Sequence, residues 1–354
     1  MPISNDPALL RQMISDAESQ RDIYKPGPYW KRKSLNAATQ IERYGLEDFR
    51  GDSSTIGLSF TDAVFVDVRH SLTGGLRGLV GYVLRAVFPF KDIFNSQVSL
   101  TRSHERETRR LKNLLLEGNP RVHELMHKYR MPPSLDCGCI DFIGPVGKGV
   151  STLYLNLLHQ HDLLTGSVEF STVRSMFEIG GGFGANVHLM LENYSRLRKI
   201  VYLDIPPNLY VGTQYLKSIY GDAVRDYRQT RGEEAIRFSD DDKIEILAIA
   251  PWQIEKLDLS VDLIYNAHSF VEMPPFVVSN YAAWLERLPD AQSASIVMLT
   301  YDCFDLGTTF HPDTLPGFFP QRSFHRTTFQ ILDNSYGVIS FIGRKSTTDP
   351  VSPD

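Results

Sequence analysis

The stretch MFEIGGGFGANVHLML, residues 176–191, decides the fold of this chain. A short apolar run that ends near Glu178 is followed by Gly180, Gly182 and Gly184 and then by a helical pattern. Glycines weaken regular elements, so their clustering at a strand-to-helix junction indicates that the backbone must stay bare there. A turn of this kind lets backbone N–H groups and a helix N-terminus approach a ligand closely. The stretch therefore predicts the ligand-binding turn of an α/β domain.

The chain after about residue 170 repeats this alternation of strand and helix. Short apolar runs are each followed by a polar or Gly/Pro break and a helical pattern, which predicts a parallel sheet with helices on both faces. The last two runs are too close together for a helical crossover, so we expect an antiparallel pair that closes the sheet. The predicted strands lie in SMFEIG, KIVYLDIP, IEILAIAP, VDLIYNAHSF, ASIVMLTYD, TFQILDN and GVISFIGRK.

The first half of the chain shows mainly helical patterns, such as PALLRQMISDAESQRDIY and VSTLYLNLLHQHDLL. We therefore predict a helical N-terminal region, residues 1–168, that serves as a lid, a substrate region or a dimerisation region. Residues 169–345 form the predicted α/β domain, and residues 346–354 a disordered tail. Because a helical first half often mediates dimers, a homodimer is one expectation.

Composition narrows the class of partner. The chain is 42% hydrophobic and 22% charged, as in ordinary soluble globular proteins. A net charge of -5 and a pI near 6.1 give no electrostatic footprint for nucleic acid, and no basic run suits a membrane anchor. Residues 75–90 are too short to span a bilayer and predict a buried helix. Cys137, Cys139 and Cys303 cannot all pair, which points to a reducing cytoplasm. We expect a cytoplasmic protein with a small-molecule partner.

The glycines allow two interpretations. Gly180, Gly182 and Ala185 fit the dinucleotide pattern G-x-G-x-x-G/A of an NAD(P)-dependent oxidoreductase. Glu178, Gly180, Gly182 and Gly184 fit E-x-G-x-G-x-G, the pattern of Rossmann-like methyltransferases that use S-adenosylmethionine. A carboxylate before the glycines attracts the ammonium group of that cofactor, whereas a pyrophosphate gains nothing from it.

Asp204 follows about twenty residues later, at the end of the second predicted strand, and suits two ribose hydroxyls of either cofactor. The antiparallel closing pair is typical of methyltransferases and not of the ordinary dinucleotide fold. S-adenosylmethionine is therefore the favoured cofactor, with Glu178, Gly180, Gly182, Gly184 and Asp204 as its predicted binding residues.

A closer resemblance rests on the motifs EIGGGFG, VYLDIPPNLYVGTQYL and VDLIYNAHSFVEMPPFVVSNYAAWL. The chain resembles a family of sugar O-methyltransferases, known mostly from bacterial biosynthetic clusters, whose members show E-I-G-G-G-[YF]-G, D-[LI]-P and N-x-x-S-F-x-E-M-P. The resemblance covers the C-terminal half well and is thinner in the N-terminal half, where it rests on GPYWKRK and GLEDFRG. It implies methylation of a sugar hydroxyl on a glycosylated natural product, a nucleotide-sugar or a glycan end.

The residues that would perform this chemistry are predicted in NAHSFVEMP, after the fourth strand. Methyl transfer to a weakly acidic hydroxyl needs a positioned base, and candidates lie at the carboxyl edge of the sheet. His268 is the first candidate because imidazole titrates near neutral pH, and Glu272 is the second. Glu272 could instead hold substrate hydroxyls or cap the helix that begins near Pro274. Asn266 is expected to fix this loop or to contact the cofactor.

Two further groups of side chains were candidates for the site. Carboxylates and histidines after the fifth strand match no defined metal-site spacing, so we predict no metal. Aromatic and basic residues of the first half are candidates for a lid over the acceptor. The first group is Asp302, Asp305, His311, Asp313 and His325, and the second is Tyr24, Tyr29, Trp30 and Arg50.

Two rival functions remain open at this point. An NAD(P)-dependent oxidoreductase needs a catalytic Tyr-Lys or comparable pair, and none with a familiar spacing is evident. A non-catalytic cofactor-binding scaffold would keep the fold and lose the acceptor site, and the intact HSFVEM segment argues against it.

Overall fold

The structure is a computed structural model, and part of the chain lies outside its described residues. Three earlier predictions fall there: the helix at residues 75–90, the tail of residues 346–354 and the role of Asp305. Cys139 and Cys303 lie there too, whereas Cys137 is buried. The described residues are 3–47, 49–50, 116–135, 137, 142–143, 150–291, 293–302, 307–332 and 337–345.

The described strands belong to a small two-stranded pair and one large sheet. In chain order they are β1 (Phe142–Ile143), β2 (Val150–Ser151), β3 (Ser175–Ile179), β4 (Lys199–Leu203), β5 (Val224–Arg225), β6 (Glu245–Ile249), β7 (Leu263–Ala267), β8 (Ser295–Tyr301), β9 (Arg322–Gln330) and β10 (Gly337–Lys345).

The large sheet of the described chain has eight strands in the order β5-β6-β4-β3-β7-β8-β10-β9. Strands β5, β6, β4, β3, β7 and β8 run parallel to their neighbours. Strand β10 is antiparallel to both β8 and β9. This arrangement confirms the predicted α/β class, including the antiparallel pair at the closing end. The inner strands are buried on both faces, as their apolar sequences require.

Helices cover the sheet. They are α1 (Pro7–Glu18), α2 (Pro28–Tyr44), α3 (Pro120–Lys128), α4 (Thr152–Leu164), α5 (Ala185–Asn193), α6 (Pro206–Tyr220), α7 (Tyr227–Arg231), α8 (Ser269–Glu272) and α9 (Pro275–Leu285). Short 3-10 helices occupy Asp22–Tyr24, Phe170–Thr172, Gly221–Ala223, Pro251–Lys256 and Pro312–Phe318. Among the described residues, none of these helices has both the length and the apolar character that a membrane crossing requires.

The N-terminal helices share a hydrophobic core with the sheet. Helix α1 begins at a capping Asp6, whose side chain accepts a hydrogen bond from the Leu9 N–H at 3.1 Å. It packs against α6, and α4 packs against α5. Buried residues of α1 and α4, including Leu10 and Leu158, belong to the same core cluster as Tyr202 of β4. Helices α1 and α4 are thus built onto one face of the sheet, whereas Tyr24 of the short helix after α1 packs in the core on the other face.

Strand β9 begins earlier than the sequence pattern predicted. The expected strand was TFQILDN, residues 328–334, but the observed one spans Arg322–Gln330 and contains His325. It lies at the edge of the sheet with β10 as its hydrogen-bonded neighbour, and most of its side chains are exposed. An edge strand of this kind needs no regular apolar alternation, so its polar first half resembled a loop.

Helix α3 is held against α4 by Asp162, whose side chain is 10% exposed. Its carboxylate accepts hydrogen bonds from Lys128 Nζ at 2.5 Å, from the Tyr129 hydroxyl at 2.7 Å and from Arg121. Burial opposes ionisation of Asp162, but these hydrogen bonds outweigh it and lower its pKa to about 2. A folded-state pKa below the usual value makes this carboxylate stabilising above about pH 4.

We expect Asp162→Asn to lower the free energy of unfolding at pH 7 by about 1–2 kcal/mol, a value discounted because Lys128 is half exposed. The deficit should shrink as the pH falls from about 4 towards 2, where the wild-type carboxylate becomes protonated as well. Urea unfolding at several pH values measures this difference. The control Glu124→Gln, at a glutamate with a 61% exposed side chain that pairs with Arg121, should change stability little. An equal effect of the two substitutions would contradict the assignment.

Candidate active site

The glycine-rich turn between β3 and α5 has a left-handed backbone that favours glycine. Gly180 has φ 75° and Gly182 has φ 60°. A Cβ on Gly180 would lie 2.2 Å from Ser269 Oγ, so close packing against Ser269 excludes a side chain at this position. A Cβ on Gly182 would meet no atom of the described residues within 4 Å. Gly182 therefore faces open space in which a ligand can approach the backbone.

Glu178 lies under this turn and is 3% exposed. Its Oε1 accepts a hydrogen bond from Asn186 Nδ2 at 2.8 Å, whereas its Oε2 has no hydrogen-bond partner among the described residues. Burial, with a smaller contribution from the charge of Asp204, raises the pKa of Glu178 to about 7 against the opposing effect of the Asn186 hydrogen bond. A buried acceptor without a donor is costly, so the site suits a ligand that brings a cationic N–H group.

Asp204 follows the last residue of β4 and is 6% exposed. Its Oδ2 accepts a hydrogen bond from the Gly182 N–H at 2.8 Å, and its Oδ1 accepts one from the Ile205 N–H at 2.7 Å. The Tyr202 hydroxyl donates to the Gly182 carbonyl at 2.5 Å, so the backbone N–H and the backbone carbonyl of Gly182 are both hydrogen-bonded. Burial raises the pKa of Asp204 to about 7. Each carboxylate oxygen can accept a second hydrogen bond, which leaves capacity for ribose hydroxyls.

Asn266, at the end of β7, is fully buried and fixes the neighbouring loop. Its Nδ2 donates to the Ile179 carbonyl at 2.9 Å and to Ser269 Oγ at 2.6 Å, and its Oδ1 accepts from the Phe270 N–H at 3.2 Å. These contacts tie the end of β3 to the loop after β7. They agree with the first of the two roles expected from the sequence, that of fixing the loop.

His268 immediately precedes α8 and has φ 66°, a left-handed conformation that non-glycine residues rarely adopt. Its ring stacks on that of Tyr301, with centroids 4.3 Å apart and planes at 24°. Burial lowers the pKa of His268 to about 4, so its imidazole is neutral at pH 7. Strained backbone conformations cluster at functional sites because the surrounding structure has to enforce them.

Glu272 ends α8 and is 8% exposed. Its Oε2 accepts a hydrogen bond from Trp30 Nε1 of α2 at 2.7 Å, and its Oε1 accepts one from the Tyr301 hydroxyl at 3.3 Å. The proposed helix-capping role is not observed, because Pro274 is the cap residue of α9 and makes no side-chain capping bond. Sequence reasoning missed Tyr301, although an aromatic residue at the end of the fifth predicted strand was a usable signal.

The other lid candidates lie in different places. Tyr24 hydrogen-bonds Glu255, and Tyr29 hydrogen-bonds Lys33. Arg50 is fully buried behind the glycine-rich turn, with its guanidinium carbon 5.0 Å from the ring centre of Phe183. Trp30 thus reaches the candidate catalytic residues, and Arg50 supports the turn from behind.

The candidate metal ligands that the structure describes do not converge. Asp302 is exposed beside β10, and Asp313 pairs with Arg326 at 2.9 Å. His311 Nδ1 lies 3.9 Å from Asp313 Oδ2, and His325 lies in β9. Within the described ranges, no three His, Cys, Asp or Glu side chains are grouped as metal ligands. Independence from metal remains a prediction.

Comparison with known proteins gives distant structural matches. Neither models of known protein families nor the sequences of curated proteins match this chain. Among solved structures it is similar to an O-methyltransferase family protein from Burkholderia thailandensis, with 11% identity over 56% of this chain and 58% of that one and a TM-score of 0.37. It is also similar to human N-acetylserotonin methyltransferase in complex with SAM, with 14% identity over 55% of this chain and 56% of that one and a TM-score of 0.35. A third similar structure is the N-methyltransferase NodS from Bradyrhizobium japonicum WM9 with S-adenosyl-L-homocysteine. The identity is 14% over 64% of this chain and 99% of that one, and the TM-score is 0.36.

The first two matches span little more than half of the proteins compared, 58% and 56%. Because these identities and TM-scores are low, the fold is assigned from the strand order and from the antiparallel closing strands. Both define the Rossmann-like methyltransferase fold.

The two raised carboxyl pKa values predict how stability depends on pH. Glu178 and Asp204 both have a pKa of about 7 in the folded protein, above the ordinary values of 4.5 and 3.8. For these two carboxyl groups the folded state binds more protons than the unfolded one between about pH 5 and 8, so their contribution to the free energy of unfolding should fall as the pH rises. Buried histidines such as His161 and His268, whose pKa is lowered to about 4, contribute in the opposite direction, so the carboxyl contribution is taken from the difference between variant and wild type. At pH 8 we expect Glu178→Gln to be more stable than the wild type by about 1–3 kcal/mol, measured by urea unfolding without ligand. The exposed Glu169→Gln should follow the wild-type profile, and a stability difference between Glu178→Gln and the wild type that stays constant from pH 5 to pH 8 would refute the prediction.

Proposed function

We propose that this protein is an S-adenosylmethionine-dependent O-methyltransferase that acts on a sugar hydroxyl. The observation that carries the cofactor assignment is the buried Oε2 of Glu178, which lacks a partner among the described residues and lies beside Gly181, next to the open space at Gly182. The ammonium group of the cofactor's methionine end is a donor that fits this atom. Asp204 provides a second carboxylate for the ribose hydroxyls, at the usual place for such an acid.

This site disfavours the dinucleotide alternative. A pyrophosphate beside the turn would approach two buried carboxylates, Glu178 and Asp204, and both would repel it when ionised. The sugar acceptor is supported by the resemblance of residues 266–274 to the N-x-x-S-F-x-E-M-P motif. Two residues of this segment, His268 and Glu272, both contact Tyr301 at the end of β8. The three side chains form one connected group at the carboxyl edge of β7 and β8.

When bound, S-adenosylmethionine supplies an electrophilic methyl group. The task of the chain is to hold the acceptor hydroxyl in line and to take up its proton. The neutral imidazole of His268 receives that proton, which becomes strongly acidic as the new C–O bond forms, so a base of low pKa suffices. The carboxylate of Glu272 is fixed by Trp30 and Tyr301, and it orients hydroxyl groups of the acceptor.

The cofactor assignment is tested with two matched glycine variants. Gly182 and Gly221 both have left-handed φ, 60° and 56°, and neither would place a Cβ within 4 Å of a described atom. Gly221 follows the last residue of α6, about 14 Å along the helix from Gly212, the position of α6 that borders the Gly182 carbonyl. Gly182→Leu should weaken S-adenosylhomocysteine binding at least about tenfold because the side chain fills the cofactor space, whereas Gly221→Leu should leave the affinity unchanged.

Thermal shift and calorimetry give the outcome. S-adenosylhomocysteine, but not NAD(P), should raise the melting temperature of the wild type and of Gly221→Leu. A panel of sugars and glycosides then tests for methyl transfer. Stabilisation by NAD(P) would establish the oxidoreductase alternative. Cofactor binding without transfer to any acceptor would favour a scaffold.

The proton acceptor is tested with His268→Asn. Asparagine tolerates a positive φ and cannot act as a base, so the backbone at this position is preserved. At saturating cofactor we expect the transfer rate to fall about 10²–10⁴-fold, with S-adenosylhomocysteine affinity nearly unchanged. The acidic limb of the wild-type rate should lie near pH 4, since burial holds the pKa of His268 at about 4. A folded variant with a rate within a few-fold of the wild type would exclude His268, and Glu272→Gln would then be the next variant to measure.

A further inference from the structure

A chain of buried polar side chains leads from the N-terminal helices to Glu178. Asn186, in the first turn of α5, donates its Nδ2 hydrogen to Glu178 Oε1 at 2.8 Å. On its other side Asn186 Oδ1 lies 2.8 Å from Nε2 of His161, near the end of α4. His161 is 0% exposed and Asn186 is 5% exposed, so water cannot easily replace either contact.

The direction of hydrogen bonding along this chain follows from the chemistry of its members. An ionised carboxylate can only accept hydrogen bonds, so Asn186 must turn its NH₂ group towards Glu178 and its oxygen towards His161. The imidazole must then carry its hydrogen on Nε2. Burial lowers the pKa of His161 to about 4, so the ring remains neutral and has a single N–H to donate.

His161 is an unexpected residue for its surroundings. Its ring lies among aromatic rings, with centroid distances of 5.4 Å to Phe170 and 6.1 Å to both Tyr194 and Tyr265. Its Nδ1 is buried without a hydrogen-bond partner among the described residues. Phenylalanine would fill such an aromatic site without burying a polar nitrogen. The polar contact observed for the ring is the one to Asn186, which indicates that this contact is the reason for a histidine.

We propose that His161 and Asn186 are positioning residues that stabilise the ionised form of the Glu178 carboxylate, with Oε2 directed towards the ammonium group of the cofactor. This inference rests on the proposed function for the identity of the ligand. It also explains how the helices that precede the α/β segment take part in cofactor binding. His161 fixes the Asn186 amide, because without the Nε2 donor the amide can rotate and turn its oxygen towards the carboxylate.

The other groups around Glu178 oppose its ionisation. Tyr202 of β4 and Tyr265 of β7 flank it as register partners in the sheet, and both are fully buried. Asp204 adds a like charge from the end of β4, and Glu272 interacts with Asp204 in turn. Asn186 is the group that favours the charged form. Losing its ordered donor leaves burial and the neighbouring carboxylate unopposed.

Three variants separate positioning from structure. His161→Phe keeps an aromatic ring in the site and removes the donor, whereas His161→Gln keeps an N–H that can reach Asn186. His188→Phe is a control at another buried histidine. The His188 ring contacts the Tyr154 hydroxyl at 2.9 Å and takes no part in the hydrogen bonds that lead to Glu178. Carbon-13 NMR of the glutamate carboxyl groups, with Glu178 assigned from Glu178→Gln, follows the titration without any cofactor. Calorimetry with S-adenosylhomocysteine between pH 6 and 8.5 follows binding.

In His161→Phe the Glu178 carboxyl should titrate about one pH unit higher than in the wild type, in His161→Gln and in His188→Phe. S-adenosylhomocysteine binding should be weaker by about tenfold at pH 6.5, with a smaller loss at pH 8.5, and His161→Gln should restore it. An unchanged Glu178 titration in His161→Phe, or an equal change in His188→Phe, overturns the inference. A shifted titration in a protein that does not bind S-adenosylhomocysteine would support the positioning role and refute the proposed cofactor instead.

Discussion

Two carboxylates buried at the ends of neighbouring strands are the constraint on which the rest of this site depends. Glu178 and Asp204 are nearly inaccessible and burial raises the pKa of both, so their burial is unfavourable unless donors surround them. The left-handed turn at Gly182 brings a backbone N–H onto Asp204, and the Asn186 amide serves Glu178. The one oxygen that these donors leave without a partner among the described residues is Oε2 of Glu178, and it lies where a cationic ligand would complete the arrangement.

The N-terminal helices contribute to this arrangement from two directions. Trp30 of α2 donates to Glu272 on the proposed acceptor side, and His161 of α4 contacts Asn186 on the proposed cofactor side. Helix α2 also begins close to the acceptor loop, since a Cβ on its cap residue Gly27 would lie 3.0 Å from Pro274. These contacts, together with the shared hydrophobic core, make the first part of the chain a component of the site as well as a cover for the sheet.

The proposed acceptor side is organised around a strained histidine. His268 has a positive φ, and its ring is held by stacking on Tyr301, which also donates to Glu272. The same burial that orders the ring lowers its pKa to about 4, so the ordered His268 imidazole is a weaker base than a solvent-exposed one. Such a base suits a reaction in which the proton becomes acidic only as the new bond forms.

The features that the sequence alone determined are those carried by neighbours along the chain. The glycine turn after Glu178, the acid that follows the second strand, and the parallel strands with an antiparallel closing pair all depend on short apolar runs and local turn chemistry. The exposed first half of β9 was missed because an edge strand lacks an apolar pattern.

Only the tertiary structure decided what each site residue contacts. The partners Trp30 and Tyr301 of Glu272, the loop-fixing role of Asn266 and the neutral state of His268 all arise from residues far apart in the chain. His161 shows the reason most clearly. In the sequence it is one polar residue in a helical pattern, and only packing of α4 against α5 brings its Nε2 within hydrogen-bonding distance of Asn186.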